Sequence, residues 1–103
     1  MVARGEIWWG EAPDATGRPY LVVSRDGANQ VMRRVLVAPV TTVARGVPSE
    51  LAVGDGEGLP RSSVAAFDNL RPFPKALLTR RLGALAPARR HELCAVAAAT
   101  LDC

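Results

Sequence analysis

Two stretches of this chain, Tyr20-Leu21-Val22-Val23 and Val35-Leu36-Val37-Ala38-Pro39-Val40, are apolar at every position rather than at every second one. A strand with one wet face alternates, so strands over Tyr20–Ser24 and Val35–Val40 must be covered on both sides. They read as the centre of a small β-barrel. Further strands are expected over Glu6–Gly10, Ser49–Val53, Ser63–Phe67 and Thr79–Leu82, with Gly54-Asp55-Gly56-Glu57-Gly58 as a flexible turn. Pro87 suits a first helical position, and Leu93, Val96, Ala97 and Leu101 then share one stripe away from Arg89, Arg90 and Glu92. The fold class is therefore mainly β (α+β): an antiparallel barrel closed by a C-terminal helix. Ala86 is a poor N-cap for that helix.

The two central segments also predict a register. Residues 18–24 and 35–41 are equal in length and flank the polar loop Arg25–Arg34. A symmetric hairpin sets Arg18 opposite Thr41 on one face, with Cβ atoms about 5 Å apart. A guanidinium and a hydroxyl would share one site. Pro39 has no N–H for the ladder, so a bulge or a bare edge near the strand end could re-aim Thr41 by a residue.

An arginine at the mouth of an apolar strand invites the question of what it grips. Its fork of five donors never deprotonates and fits an oxyanion. The net charge is +3, and Arg supplies twelve of the thirteen cations, with Lys75 the sole lysine. That bias suits phosphate recognition, and it equally suits a source genome that also favours the abundant Ala.

At 103 residues, 49% hydrophobic and 22% charged, the chain fits one domain spanning 1–103, folded alone or as a dimer. Cys94 and Cys103 have no further thiol or histidine at metal-ligand spacing, so neither a disulfide framework nor a metal site is expected. Charges at Arg4, Glu6 and Glu11 exclude a basic-then-apolar leader, and the apolar stretch Leu93–Leu101 is too short to span a bilayer. A cytoplasmic location, without membrane attachment, is the default.

The segments RGEIWW, GRPYLVVSRD, VLVAPVTT and FDNLRPF resemble, in order and spacing, the MazF/PemK family of toxins, and the resemblance covers nearly the whole chain. It implies a CcdB-like, SH3-like barrel, a homodimer, sequence-selective endoribonuclease activity on single-stranded RNA, and inhibition by a cognate antitoxin with an acidic segment. By position, the family's catalytic Arg falls on Arg18 and its catalytic Thr on Thr41. The loop Glu11–Gly17 is shorter than in many relatives, so no cleavage sequence carries over.

RNA brings its own nucleophile, the 2′-OH, so the chemistry asks for a phosphate clamp and a positioned donor rather than a metal, cofactor or catalytic Ser or Cys. Arg18 would clamp and neutralise; Thr41 would donate to a non-bridging oxygen or position the attacking hydroxyl. The duller readings are a surface ion pair for Arg18 and a plain β-former at Thr41. Asp68 and Asn69 either close a turn or contact RNA or antitoxin. Thr42 and Arg45, beside Gly46, form a basic loop that is a phosphate contact or an ordinary solvated turn. Adjacent on a strand, Trp8 and Trp9 point to opposite faces, one to the core and one to an interface or base platform; Trp9 is a candidate contact. His91 belongs to the solvent side of the helix, and Cys94 is expected to pack. The rival functions are a non-enzymatic CcdB-like toxin that binds DNA gyrase and a general nucleic-acid-binding module.

Overall fold

In the computed structural model, which describes residues 1–13 and 16–102, seven antiparallel strands form one strongly folded sheet. The strands are β1 (Glu6–Gly10), β2 (Arg18–Val22), β3 (Arg34–Thr41), β4 (Glu50–Val53), β5 (Ser63–Ala66), β6 (Arg71–Pro74) and β7 (Leu78–Ala84). Their spatial order is β4-β5-β3-β2-β1-β7, with β6 pairing the first half of β3. No ladder joins β4 to β7 among the described residues, so the barrel is open along that seam.

The unalternating strands do have two covered faces. Leu21, Val23, Ala38 and Val40 pack into one core with Ile7, Leu51, Val53, Phe67 and Leu93. Tyr20, Val22, Val35 and Val37 pack on the other side with Val2, Phe73 and Leu78. Tyr20 and Phe73 stack at 4.6 Å between ring centroids, and a side chain at Gly10 would run into both rings. The helix α2 (Arg90–Thr100) closes the first core through Leu93, with Val96 and Ala97 partly buried against it.

Several elements differ from expectation for definite reasons. The polar loop Arg25–Arg34 contains a short helix, α1 (Asp26–Val31). It is pinned by buried Asn29, whose amide donates to the Ser24 carbonyl at 2.7 Å while its oxygen accepts from the Ser24 hydroxyl. The glycine-rich segment is not a slack turn: Asp55–Glu57 is a 3-10 turn in which buried Glu57 accepts the Gly54 N–H at 2.6 Å. Gly58 follows at φ +87°, and a Cβ there would stand 2.0 Å from the Leu82 carbonyl oxygen. Strand β6 escapes sequence reading because two of its four residues are prolines. Along α2 the apolar stripe stops at Ala97: Leu101 lies beyond the sheet and is 70% exposed, and Cys94 is exposed rather than packed. His91 faces solvent, as expected. Pro87 opens a 3-10 turn, Pro87–Arg89, that follows Ala86 and leads into α2, and no side-chain cap is present at the start of either.

Candidate nucleic-acid interface

The ladder between β2 and β3 runs Tyr20↔Pro39, Leu21↔Ala38, Val22↔Val37. This is the register of the symmetric hairpin. Beyond Pro39, which has no N–H to give, β3 leaves β2 and pairs with β5 through Val40↔Ala65 and Thr41↔Val64. On its other side Arg18 opens β2 opposite Gly10 of β1. The β2–β3 ladder thus ends before the expected Arg18–Thr41 pair, and Thr41 pairs Val64 instead, while alternation along each strand still puts Arg18 on the face of Tyr20 and Thr41 on that of Pro39.

That face opens into a cleft of about 460 Å³ lined by Thr16, Arg18, Tyr20, Pro39, Asn69 and Arg71. Arg18 is exposed at its wall and makes no hydrogen bond or ion pair among the described residues. Arg71 reaches the same cleft from β6, where it pairs Val37. Its guanidinium carbon lies 5.4 Å from the centroid of the Phe73 ring, and no described carboxylate pairs with it. Two guanidinium groups with no carboxylate partner among the described residues thus face one open hollow. Thr41 is half-buried and is not among the lining side chains. Its Oγ1 accepts the Val43 N–H at 3.1 Å, which leaves the hydroxyl proton free to donate.

The remaining candidates divide. Asn69 lines the cleft, whereas its neighbour Asp68 turns away to accept the Ser49 hydroxyl and to pair with Arg45 at 3.4 Å. Both sit in one 3-10 turn, Phe67–Asn69. Arg45 also lies 3.6 Å from Glu50, so its charge is already answered by two carboxylates. The Glu50 carboxyl is held below its usual range chiefly by the Arg45 N–H, against the opposing effect of burial, with help from the Gly46 and Val47 N–H groups. This carboxylate organises the loop that follows Thr41. Thr42 is exposed in that loop and is not among the residues of the cleft wall.

The tryptophans separate as alternation requires. Trp8 packs on the second core and donates to Glu6 at 3.0 Å. Burial alone would raise the Glu6 carboxyl, but donation by Trp8, Arg81 and Ala3 outweighs it and lowers the pKa. Trp9 donates to Glu11 at 3.1 Å and covers Gly17, where a Cβ would come within 2.6 Å of its ring. It backs the approach to Arg18 and does not line the cleft. Sequence reasoning passed over Thr16, Tyr20 and Arg71. Only the even spacing of Arg71 and Phe73 in RPF could have marked Arg71, since on a strand that spacing means one face.

The described residues hold no group of three or more His, Cys, Asp or Glu side chains able to bind a metal ion. No described helix is long and apolar enough to cross a membrane.

Comparison with known proteins agrees with this architecture. The chain is 41% identical over its whole length to "Probable endoribonuclease MazF5" of Mycobacterium tuberculosis, covering 95% of that protein. Its fold superposes on the Mycobacterium tuberculosis toxin MazF-mt6 with a TM-score of 0.85 at 29% identity, covering 94% of this chain and 96% of that one. A mycobacterial endoribonuclease solved in complex with its cognate antitoxin also gives 0.85, at 27% identity over 98% and 95% of the two chains. Residues 3–101 match the PemK-like, MazF-like toxins of type II toxin–antitoxin systems, and the chain belongs to that family.

Proposed function

We propose that this protein is a metal-independent endoribonuclease that cuts single-stranded RNA by internal transesterification, and that Arg18 and Thr41 carry the reaction. The observation behind the reading is Arg18 itself: an exposed guanidinium on the cleft wall, without an ion pair among the described residues, on the sheet face that alternation also gives Thr41. The 2′-OH attacks the adjacent phosphorus, the P–O5′ bond breaks, and the products are a 2′,3′-cyclic phosphate and a 5′-OH end. Arg18 clamps the phosphate and answers the charge that builds on its oxygens. The Thr41 hydroxyl, whose oxygen already accepts from Val43, donates to a non-bridging oxygen. A guanidinium with a pKa above about 12 is a poor base, so proton transfer is assigned to water or substrate.

The relatives named as endoribonucleases support this activity, and the relative solved with its antitoxin supports a cognate antitoxin as partner. An acidic segment that occupies the cleft would occlude it by matching the same guanidinium groups. A homodimer acting in the cytoplasm completes the reading. The gyrase-binding alternative gains no support from the relatives, and it gives the two cleft arginines no task.

The test is incubation of purified protein with a long mixed-sequence RNA in a chelator, followed by mapping of both ends. Cyclic phosphate and 5′-OH ends are expected, with no cutting where the scissile ribose lacks its 2′-OH. Recovery of 5′-phosphate ends, or cutting of the 2′-deoxy linkage, would falsify the mechanism.

A further inference from the structure

We infer that Arg71 is a second phosphate anchor, so that the cleft grips two backbone phosphates of one RNA strand, with Arg18 on the scissile linkage and Arg71 on a neighbouring one. The inference rests on the ribonuclease reading for the role of Arg18. Its own grounds are separate. Arg71 and Arg18 line one cleft from different strands, β6 and β2, with the stacked pair Tyr20–Phe73 beneath them.

Among the described residues only Arg45, Arg81 and Arg89 form ion pairs with carboxylates. Arg71 shares its lack of one with most of the chain's arginines, and what sets it apart is that its guanidinium is steadied over the Phe73 ring at the cleft wall. An ion pair would quench the charge; a ring leaves it intact. Stacking also restricts a long side chain before any ligand arrives, which lowers the ordering cost of binding. Phe73 is wholly buried and paired with Val35 in the β3–β6 ladder, so the support is rigid.

The lining chemistry favours phosphate over a nucleobase as the Arg71 ligand. No open aromatic face lies here for a base to stack on, since Tyr20 and Phe73 are both buried, and one face of the Arg71 guanidinium is already taken by the Phe73 ring. Asn69 and Thr16 remain at the rim as neutral hydrogen-bonding groups. Two cations at one cleft select the spacing of the phosphates they grip, which helps an open cleft hold flexible RNA.

The test uses an RNA oligonucleotide with one 2′-deoxy scissile residue, so that it binds without being cut. Each protein atom that neutralises one phosphate of a single strand contributes about 0.7 to the slope of log affinity against log salt. Arg71→Ala is expected to lower that slope by about 0.7 and to weaken binding about tenfold, and Arg71→Lys to restore the slope. Oligonucleotides carrying one neutral methylphosphonate at successive linkages locate the contact. One linkage beside the scissile one should weaken wild-type binding yet leave Arg71→Ala unaffected. Arg71→Ala with an unchanged slope, an unchanged melting temperature and no such linkage overturns the inference. So does a loss of slope that Arg71→Lys fails to restore. If the all-ribose oligonucleotide is bound with this pattern but never cut, the nuclease reading fails while the anchor stands.

Discussion

A hydroxyl oriented by accepting one backbone N–H still has its proton to donate, and Thr41 is in that position. Thr41→Val keeps the shape and the β-propensity while removing the hydroxyl, both as donor and as the acceptor of the Val43 N–H. It should slow single-turnover RNA cleavage at least about a hundredfold, the usual loss when one transition-state donor goes, with Thr41→Ser close to wild type. Equal rates for Val and Thr would reduce Thr41 to a strand residue. Gly58 poses the opposite case, a residue that tolerates no side chain. At φ +87° and with a Cβ position 2.0 Å from the Leu82 oxygen, Gly58→Ala must both strain and displace backbone. A loss of about 2 kcal/mol or more is expected, and a chemical-denaturation midpoint equal to wild type would refute the packed geometry of that turn.

At the scale of elements, α2 is tied to the sheet by Arg89 as well as by Leu93. The guanidinium donates to Glu57 at 3.0 Å, to both oxygens of Glu92 and to the Ala52 carbonyl at 2.7 Å. Arg89→Ala leaves buried Glu57 without its cation and should destabilise by about 2 kcal/mol. The Glu50 carboxylate plays the corresponding part for the loop after β3. Its folded pKa lies below the ordinary 4.5, so its contribution is present above about pH 4.5 and lost as pH falls through the depressed value. Protection of the Arg45 and Gly46 amides from hydrogen exchange should therefore collapse on acidification, and Glu50→Gln should remove much of it at neutral pH. Amides equally protected at both pH values would show that the carboxylate is not what orders them.

These elements were unequally legible. The β2–β3 register could be read because equal apolar segments around a polar connection leave few pairings that bury both faces. Strand β6 could not, since Pro72 and Pro74 argue against any strand unless one knows that it lies at an edge. Helix α1 has only six residues, one of them Gly27, so its existence depends on the tertiary pin at Asn29 rather than on propensity. The site followed the same division: Arg18 stands at the end of the readable ladder, Thr41 lies just past the point where Pro39 sends β3 to β5, and Arg71 stands on the strand that sequence hides.

For the whole molecule, the prolines of β6 guard an exposed edge. The Lys75 N–H points inward to the Arg33 carbonyl, so odd positions of this segment face β3 and the outward positions are Pro72 and Pro74, which have no N–H. An incoming strand would find acceptors but no donors. The guard matters because Val31, Met32 and Leu36 are exposed close by. Restoring both donors with Pro72→Thr and Pro74→Thr should raise self-association in sedimentation or light scattering, and an unaltered monomer-to-oligomer ratio would contradict the guarding role. The arginine cleft, by contrast, is open and has no ion pair among the described residues, which suits an enzyme for a polyanion.

The most direct measurement of the central claim is the single-turnover rate on one defined RNA, without divalent metal, for wild type and for the Arg18→Ala/Thr41→Ala double variant, with melting curves to establish that both are folded. A loss of at least about a thousandfold in the folded double variant is predicted, since the proposed mechanism has both groups act on the same phosphate in the transition state. Cleavage at the parental rate by that variant would contradict the account.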